Sequence, residues 1–217
     1  MSSKEYFETV ADQWDAMRRG FFTDVLRDKA IARAAVSAGR AAADLGAGTG
    51  FISEGLLHRG VQVIAVDQSA AMLDALRHKL GHGRGLDCRV GEAERLPVDD
   101  AAVDYVFANM YLHHVESPAA AIKEMARILK PGGRVVITDL DTHDVSFLLT
   151  EHHDRWPGFD RDVLTRWLAD AGLSEVTVVN AGEECCAQSG CGCKSARISV
   201  FLAHGVKRAV PSSLAEA

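Results

Sequence analysis

Apolar residues recur along the chain in two alternating rhythms, a helical spacing and short unbroken runs. From Tyr6 to Gly20, YFETVADQWDAMRRG places Phe7, Val10 and Trp14 on one face of a single amphipathic helix. A second helix is predicted over 23–37. RAAADLGAGTG is a short apolar strand running into glycines, with a helix over 51–59 behind it. VQVIAVD is a second strand, and SAAMLDALRHKL is a helix with Ser69 placed as its N-cap. LDCRV is a weak third strand and VDYVFANM a fourth. SPAAAIKEMARILKPGG is a helix with Ser117 as cap, Pro118 in the first turn and a Pro-Gly-Gly stop. RVVITDLD is a fifth strand, 160–171 a further helix, and SEVTVVN and ARISVFLAH the last two strands.

Strands alternating with helices mean βαβ units and an α/β fold with a mostly parallel sheet. Strands without a polar face agree, because such sheets are covered on both sides. No helix separates the last two strands, so they form a hairpin and one strand is antiparallel. The expected division is a helical cap over 1–38, a main domain over 39–205 and a disordered tail over 206–217.

Composition narrows the class. At 217 residues, 47% apolar and 25% charged, the chain is globular and large enough for a real core. A net charge of −6 argues against a broad nucleic-acid footprint. No run reaches the ~18 apolar residues of a membrane span. The opening MSSKEYFETV lacks the apolar stretch of a signal peptide, so a cytoplasmic location is expected. Thiols there are mostly reduced, which turns attention to metal or redox chemistry for clustered cysteines. The oligomeric state is left open.

DLGAGTG puts Gly46, Gly48 and Gly50 between a strand and a helix, where glycine lets the backbone approach a ligand. The spacing is G-x-G-x-G, whereas the dinucleotide fingerprint would need glycine at Phe51. Asp67 closes the next strand 21 residues after Gly46, where an acid accepts hydrogen bonds from ribose hydroxyls.

DLGAGTGFISEGL, VIAVDQSAAML, GEAERLPVDDAAVDYVFANMYLHHV and EMARILKPGGRVVITD together resemble the class I S-adenosylmethionine-dependent methyltransferases. The resemblance is to the subgroup with the ubiquinone and menaquinone C-methyltransferases, and it covers residues 6–204. It implies a Rossmann-like, seven-stranded sheet with an antiparallel last strand and an N-terminal helical lid. It further implies that Asp44, Gly46, Ala47 and Gly48 surround the methionine part of the cofactor. Asp67 would hold the ribose, with Gln68 beside the adenine and Met72 packed on the ring. Glu92 and Ala93 fall at the adenine site, and Asn109 and Met110 beside the sulfonium. Tyr6, Trp14 and Arg18 are the lid contacts it implies.

Methyl transfer from a sulfonium is an in-line displacement, so the protein must align the reactants and exclude water. A base is needed only for a protonated nucleophile. The candidates are His113 and His114 after the fourth strand, and His143, His152 and His153 after the fifth. LHHV recurs in the resembling family whatever the substrate, which assigns His114 a structural or cofactor-side role beside its candidacy as base. His143, His152 and His153 fall where open α/β sheets bind ligands, so they are candidates for the acceptor pocket.

CCAQSGCGC holds Cys185, Cys186, Cys191 and Cys193, four of five cysteines. It falls in a predicted 15-residue loop, 181–195, at the cofactor rim, with Lys194 beside it. Three readings stand open: a structural zinc site, capture of a thiophilic metal or metalloid acceptor, and disulfide redox control. The metalloid reading resembles the arsenite methyltransferases, although Met110 stands where that family has a cysteine. Cys88 reads as a small buried hydrophobe. The expected function is methyl transfer from S-adenosylmethionine to a small acceptor, with a soft one among the candidates. The alternatives are a carbon, oxygen or nitrogen acceptor beside a structural zinc loop, a metal sensor without turnover, and a nucleotide-cofactor oxidoreductase, which the absent third fingerprint glycine disfavours.

Overall fold

The computed structural model describes residues 3–81, 85–190 and 192–209. Its strands are β1 (Ala41–Leu45), β2 (Gln62–Asp67), β3 (Leu86–Val90), β4 (Val103–Asn109), β5 (Leu129–Leu140), β6 (Leu173–Gln188) and β7 (Ser195–Lys207). They make one sheet in the order β3-β2-β1-β4-β5-β7-β6. The first five pair in parallel, and β7 runs antiparallel to both β5 and β6. The helices are α1 (Ser3–Val10), α2 (Trp14–Arg18), α3 (Asp24–Ala34), α4 (Phe51–Leu57), α5 (Ala70–Leu80), α6 (Pro118–Ile128), α7 (Ser146–Glu151) and α8 (Arg161–Asp170).

Apolar strands with no polar face require cover on both sides. One core layer packs Leu26, Ile31, Ile52, Leu56, Leu73 and Leu76 of α3, α4 and α5 against the sheet. The other packs Ile122 and Met125 of α6 with Leu164 and Leu168 of α8. The order reverses on either side of β1, since β2 lies on one flank and β4 on the other. That reversal opens a crevice at the C-terminal strand ends, the usual ligand position in such sheets. Among the described residues no helix is long and apolar enough to cross a membrane.

Several boundaries depart from the sequence pattern. The N-terminal helix is broken by a 3-10 turn at Ala11–Gln13. Asp15 is tied to Thr49 at 2.7 Å and to Lys79 at 3.0 Å, so tertiary anchors fix the start of α2. Ser69 caps α5 by accepting from the Met72 N–H, whereas Ser117 makes no side-chain cap on α6. The stretch after β5 contains a further short helix, α7. The predicted loop 181–195 is mostly strand, because β6 continues to Gln188 and pairs with β7 down to Gln188–Ser195. The predicted tail begins too early: Val206 and Lys207 belong to β7, and the Lys207 Nζ donates to the Leu129 carbonyl at 2.7 Å. The rest of that tail, from 210, lies outside the described residues.

Candidate active site

β1 ends in Asp44 and Leu45, and the chain then turns through Gly46 at φ 63°. A Cβ at Gly46 would run into the Tyr111 ring, so sterics and backbone both require glycine. Asp44 is buried beneath this turn and accepts from Ser53 at its N–H (2.9 Å) and hydroxyl (2.6 Å). Burial pushes its carboxyl up to about 7, against the lowering effect of those hydrogen bonds. Asp67 ends β2 and accepts from the N–H groups of Gly48 and Ser69, each at 2.9 Å. It thereby clamps the glycine loop to the next strand. Burial pushes its carboxyl up as well, while these backbone donors pull it down.

A cavity of about 270 Å³ opens above the loop. Its walls include Gly46, Ala47, Gly48, Asp67, Gln68, Met72, Glu92, Ala93, Asn109 and Met110. The N-terminal helices supply Phe7, Trp14 and Arg18 to the other side. Trp14 covers the loop, with its indole nitrogen 3.5 Å from where a Gly48 Cβ would stand. The Arg18 guanidinium lies 4.1 Å above the Phe51 ring, and its Nε has no hydrogen-bond partner.

A second cavity, of about 60 Å³, shares Phe7, Trp14, Phe22, Met110 and His114 with the first. Its remaining lining includes Tyr6, Phe21, His113, Leu140, Leu148, His152, Asp154 and Cys185. The 3-10 turn Leu112–His114 delivers both histidines. Asp139 on β5 anchors that turn, accepting from Leu112 N–H at 2.8 Å, Tyr111 N–H at 3.1 Å and His113 Nδ1 at 2.5 Å. Burial alone would lower the His113 pKa, but the charge and hydrogen bond of Asp139, with Asp154 beyond, hold it up at about 9. Burial and the neighbouring His113 charge push His114 well below the ordinary imidazole value. Asp154 Oδ1 stands 3.9 Å from His113 Nε2 and 3.8 Å from His114 Nδ1.

The thiols are dispersed. Cys185 is 7% exposed and faces the second cavity, while its neighbour Cys186 is exposed on the opposite side of β6. Adjacent strand residues point to opposite faces, so these two do not converge on one ion. Cys185 and Cys186 carry free thiols, whereas Cys193 is disulfide-bonded. Cys191 lies outside the described residues. Burial pushes the Cys185 thiol up to about 12. Cys88 is half-buried on β3 with a free thiol.

Most of the residues singled out from sequence meet at these two cavities. Tyr6 lines the second and not the first, and Asp44 supports the loop from below without facing either. Of the candidate bases, His114 lines both cavities. His143 turns inward to receive the Val145 N–H at 3.2 Å, and His153 stacks on Tyr6 at 5.2 Å. Sequence reasoning passed over Phe22, Phe51 and Tyr111 in the first cavity, and over Asp139 and Asp154 beside the second. Asp139 carried a usable signal, an acid at the end of a strand like Asp67. Asp154 carried none.

A family model described as a methyltransferase domain matches residues 43–137. The chain is 32% identical over 170 residues to a demethylmenaquinone methyltransferase of Thermobifida fusca (strain YX), covering 75% of this chain and 69% of that protein. It is 35% identical over 145 residues to a biotin biosynthesis bifunctional protein of Cellvibrio japonicus (strain Ueda107). That match takes in 66% of this chain but only 28% of the longer relative. A chain in a complex between the Haloferax volcanii Trm112 methyltransferase activator and its candidate methyltransferase superposes with a TM-score of 0.74 at 21% identity. It covers 93% of this chain and 97% of that one, which is a likeness of fold. Motif order, sheet order and these relatives agree, and the chain belongs to the class I S-adenosylmethionine-dependent methyltransferases, in the branch related to the demethylmenaquinone methyltransferases.

Proposed function

We propose that the protein transfers a methyl group from S-adenosylmethionine to a small, soft nucleophile of few heavy atoms, such as a low-molecular-weight thiol or trivalent arsenic. The observation that carries this reading is the pair of cavities with a common wall at Met110 and His114. The larger holds the cofactor. Asp67 takes the ribose hydroxyls, Glu92 and Ala93 flank the adenine, Met72 packs on it, and Arg18 faces the methionine carboxylate. Asn109 and Met110 place the sulfonium at the shared wall. The methyl group then points into the smaller cavity, where the acceptor attacks in line.

Size favours a small acceptor. A cavity of about 150 Å³ binds benzene, whereas the acceptor side offers about 60 Å³. A bicyclic quinol, the acceptor class of the menaquinone relatives, exceeds it unless α1 and α2 swing away. Softness is favoured by Cys185, whose buried thiol is on that wall. The helices α1 and α2 act as the lid: Phe7, Trp14 and Phe22 close over both cavities and keep water from the methyl group.

The test is an assay of S-adenosylhomocysteine release over methanethiol, arsenite and a quinol precursor. Turnover on the small soft acceptors and none on the quinol is expected. Cys185→Ser should lower that turnover and leave cofactor affinity unchanged. A quinol precursor as the preferred substrate would overturn the acceptor assignment.

A further inference from the structure

We propose that His113, His114 and Asp154 form a divalent-cation site on the wall of the second cavity. Among the described residues they are the group whose ligand atoms, one from each, all lie within 4.8 Å of one another. A nitrogen–nitrogen–oxygen donor set suits a borderline ion of the zinc, cobalt or iron(II) kind.

Three features separate this cluster from a chance meeting of polar residues. The first is its spacing. Metal–ligand bonds of about 2.1 Å in a tetrahedron put neighbouring donors roughly 3.4 Å apart. The Asp154 Oδ1 distances to His113 Nε2 and His114 Nδ1 are 3.9 and 3.8 Å, so small rotations of these side chains close the site. The second is an orphaned donor. His114 Nδ1 is buried without a hydrogen-bond partner, which is costly unless something else satisfies it. A bound cation does so. The third is the support behind the ligands. Asp139, fully buried, receives His113 Nδ1 and leaves Nε2 directed at Asp154. A carboxylate behind an imidazole fixes the ring and its tautomer for metal binding.

Three protein ligands leave a coordination position for something else, as in catalytic rather than structural sites. All three residues line the second cavity, so that position faces the acceptor. The cation would bind the acceptor's sulfur or oxygen and favour its deprotonated form. This role in turnover rests on the proposed methyl transfer, whereas the site itself does not.

Cobalt(II) titrated into the full-length chain is the probe, with visible absorption and metal content after gel filtration as readouts. One cobalt per chain is expected. Asp154→Asn and His114→Asn should each weaken binding at least tenfold, with circular dichroism reporting the fold. Cys185→Ser and Cys186→Ser should leave binding unchanged. The proposal is overturned if the wild-type protein takes up no cobalt at millimolar concentration. It is equally overturned if folded Asp154→Asn binds as the wild type does, or if the cysteine variants are the ones that lose the metal. Lack of cobalt binding with S-adenosylhomocysteine still produced removes the metal site and leaves methyl transfer standing. Cobalt bound at the expected stoichiometry, with no co-product from any acceptor, retains the site and removes the activity.

Discussion

Replacing Asp67 with alanine separates the carboxylate's observed role in the glycine loop from its proposed role in holding the ribose, because the first exists without cofactor and the second does not. In the protein alone, Asp67 accepts from the Gly48 and Ser69 N–H groups, each at 2.9 Å. A hydrogen bond to a charged acceptor is worth about 1.5–3 kcal/mol, and removing the acceptor leaves both donors to water or to nothing. That loss falls on the stability of the glycine loop and registers as a lower unfolding midpoint of the cofactor-free protein. With cofactor bound, the same carboxylate faces the cavity and has lone pairs left for ribose hydroxyls. Losing those contacts should raise the dissociation constant of S-adenosylhomocysteine by roughly 10- to 150-fold, the equivalent of about 1.4–3 kcal/mol. Calorimetric titration at a temperature where both proteins are folded reads the second effect free of the first. Unchanged affinity in folded Asp67→Ala would refute the ribose assignment. Binding of a nicotinamide dinucleotide at comparable strength would refute the choice of cofactor.

Other perturbations probe the remaining walls. Gly46→Ala meets both a backbone φ of 63° and the Tyr111 ring. It should cost at least about 1–2 kcal/mol of stability, read by denaturant unfolding; a neutral effect would mean the turn and the ring above it yield easily. Trp14→Ala opens the cover over Gly48 and both cavities, so co-product release should fall at least tenfold with the sheet domain still folded; full activity would remove the lid role. Burial pushes the Cys185 thiol up to about 12, so it stays protonated at pH 7. Native-state alkylation with mass spectrometric readout should therefore mark exposed Cys186 first. The Cys185 rate should rise about tenfold per pH unit between 7 and 10, because its thiolate fraction does; equal rates at pH 7 would contradict its burial.

The first cavity was legible because local pattern and chemistry coincide there. Glycines must come after β1 where the chain turns at positive φ under a ring, and an acid must end β2 where it can clamp that turn. Both signals sit in short contiguous stretches. The second cavity is assembled differently. His113 comes from the turn after β4, Asp139 from the end of β5 and Asp154 from the segment after α7. Their meeting depends on how that segment folds back, with the Arg155 N–H donating to the His113 carbonyl at 2.8 Å. No periodicity encodes a contact between His113 and Asp154, 41 positions apart, and His143 and His153 look equally eligible until the backbone is placed.

The thiol stretch shows how register decides chemistry. From Ala181 to Ser189, the buried positions Cys185, Ala187 and Ser189 alternate with exposed Glu184, Cys186 and Gln188, a period of two that marks a half-buried strand. Glycines and clustered cysteines obscure that alternation and give the segment the composition of a loop. The pairing with β7 shifts between Asn180 and Glu184, where Gly182 takes φ 68° and Lys29 holds the Ala181 carbonyl at 2.7 Å and Glu183 at 3.0 Å. Such a bulge bends a strand and re-aims the side chains beyond it. Past the bulge, the Cys186 N–H donates to the Phe21 carbonyl at 3.0 Å, which docks the hairpin on the chain leaving α2. A one-residue slip would exchange Cys185 and Cys186 between cavity and solvent. The bulge and its Lys29 anchor oppose that slip, so among the described residues Cys185 is the thiol that lines the second cavity, together with His113, His114 and Asp154.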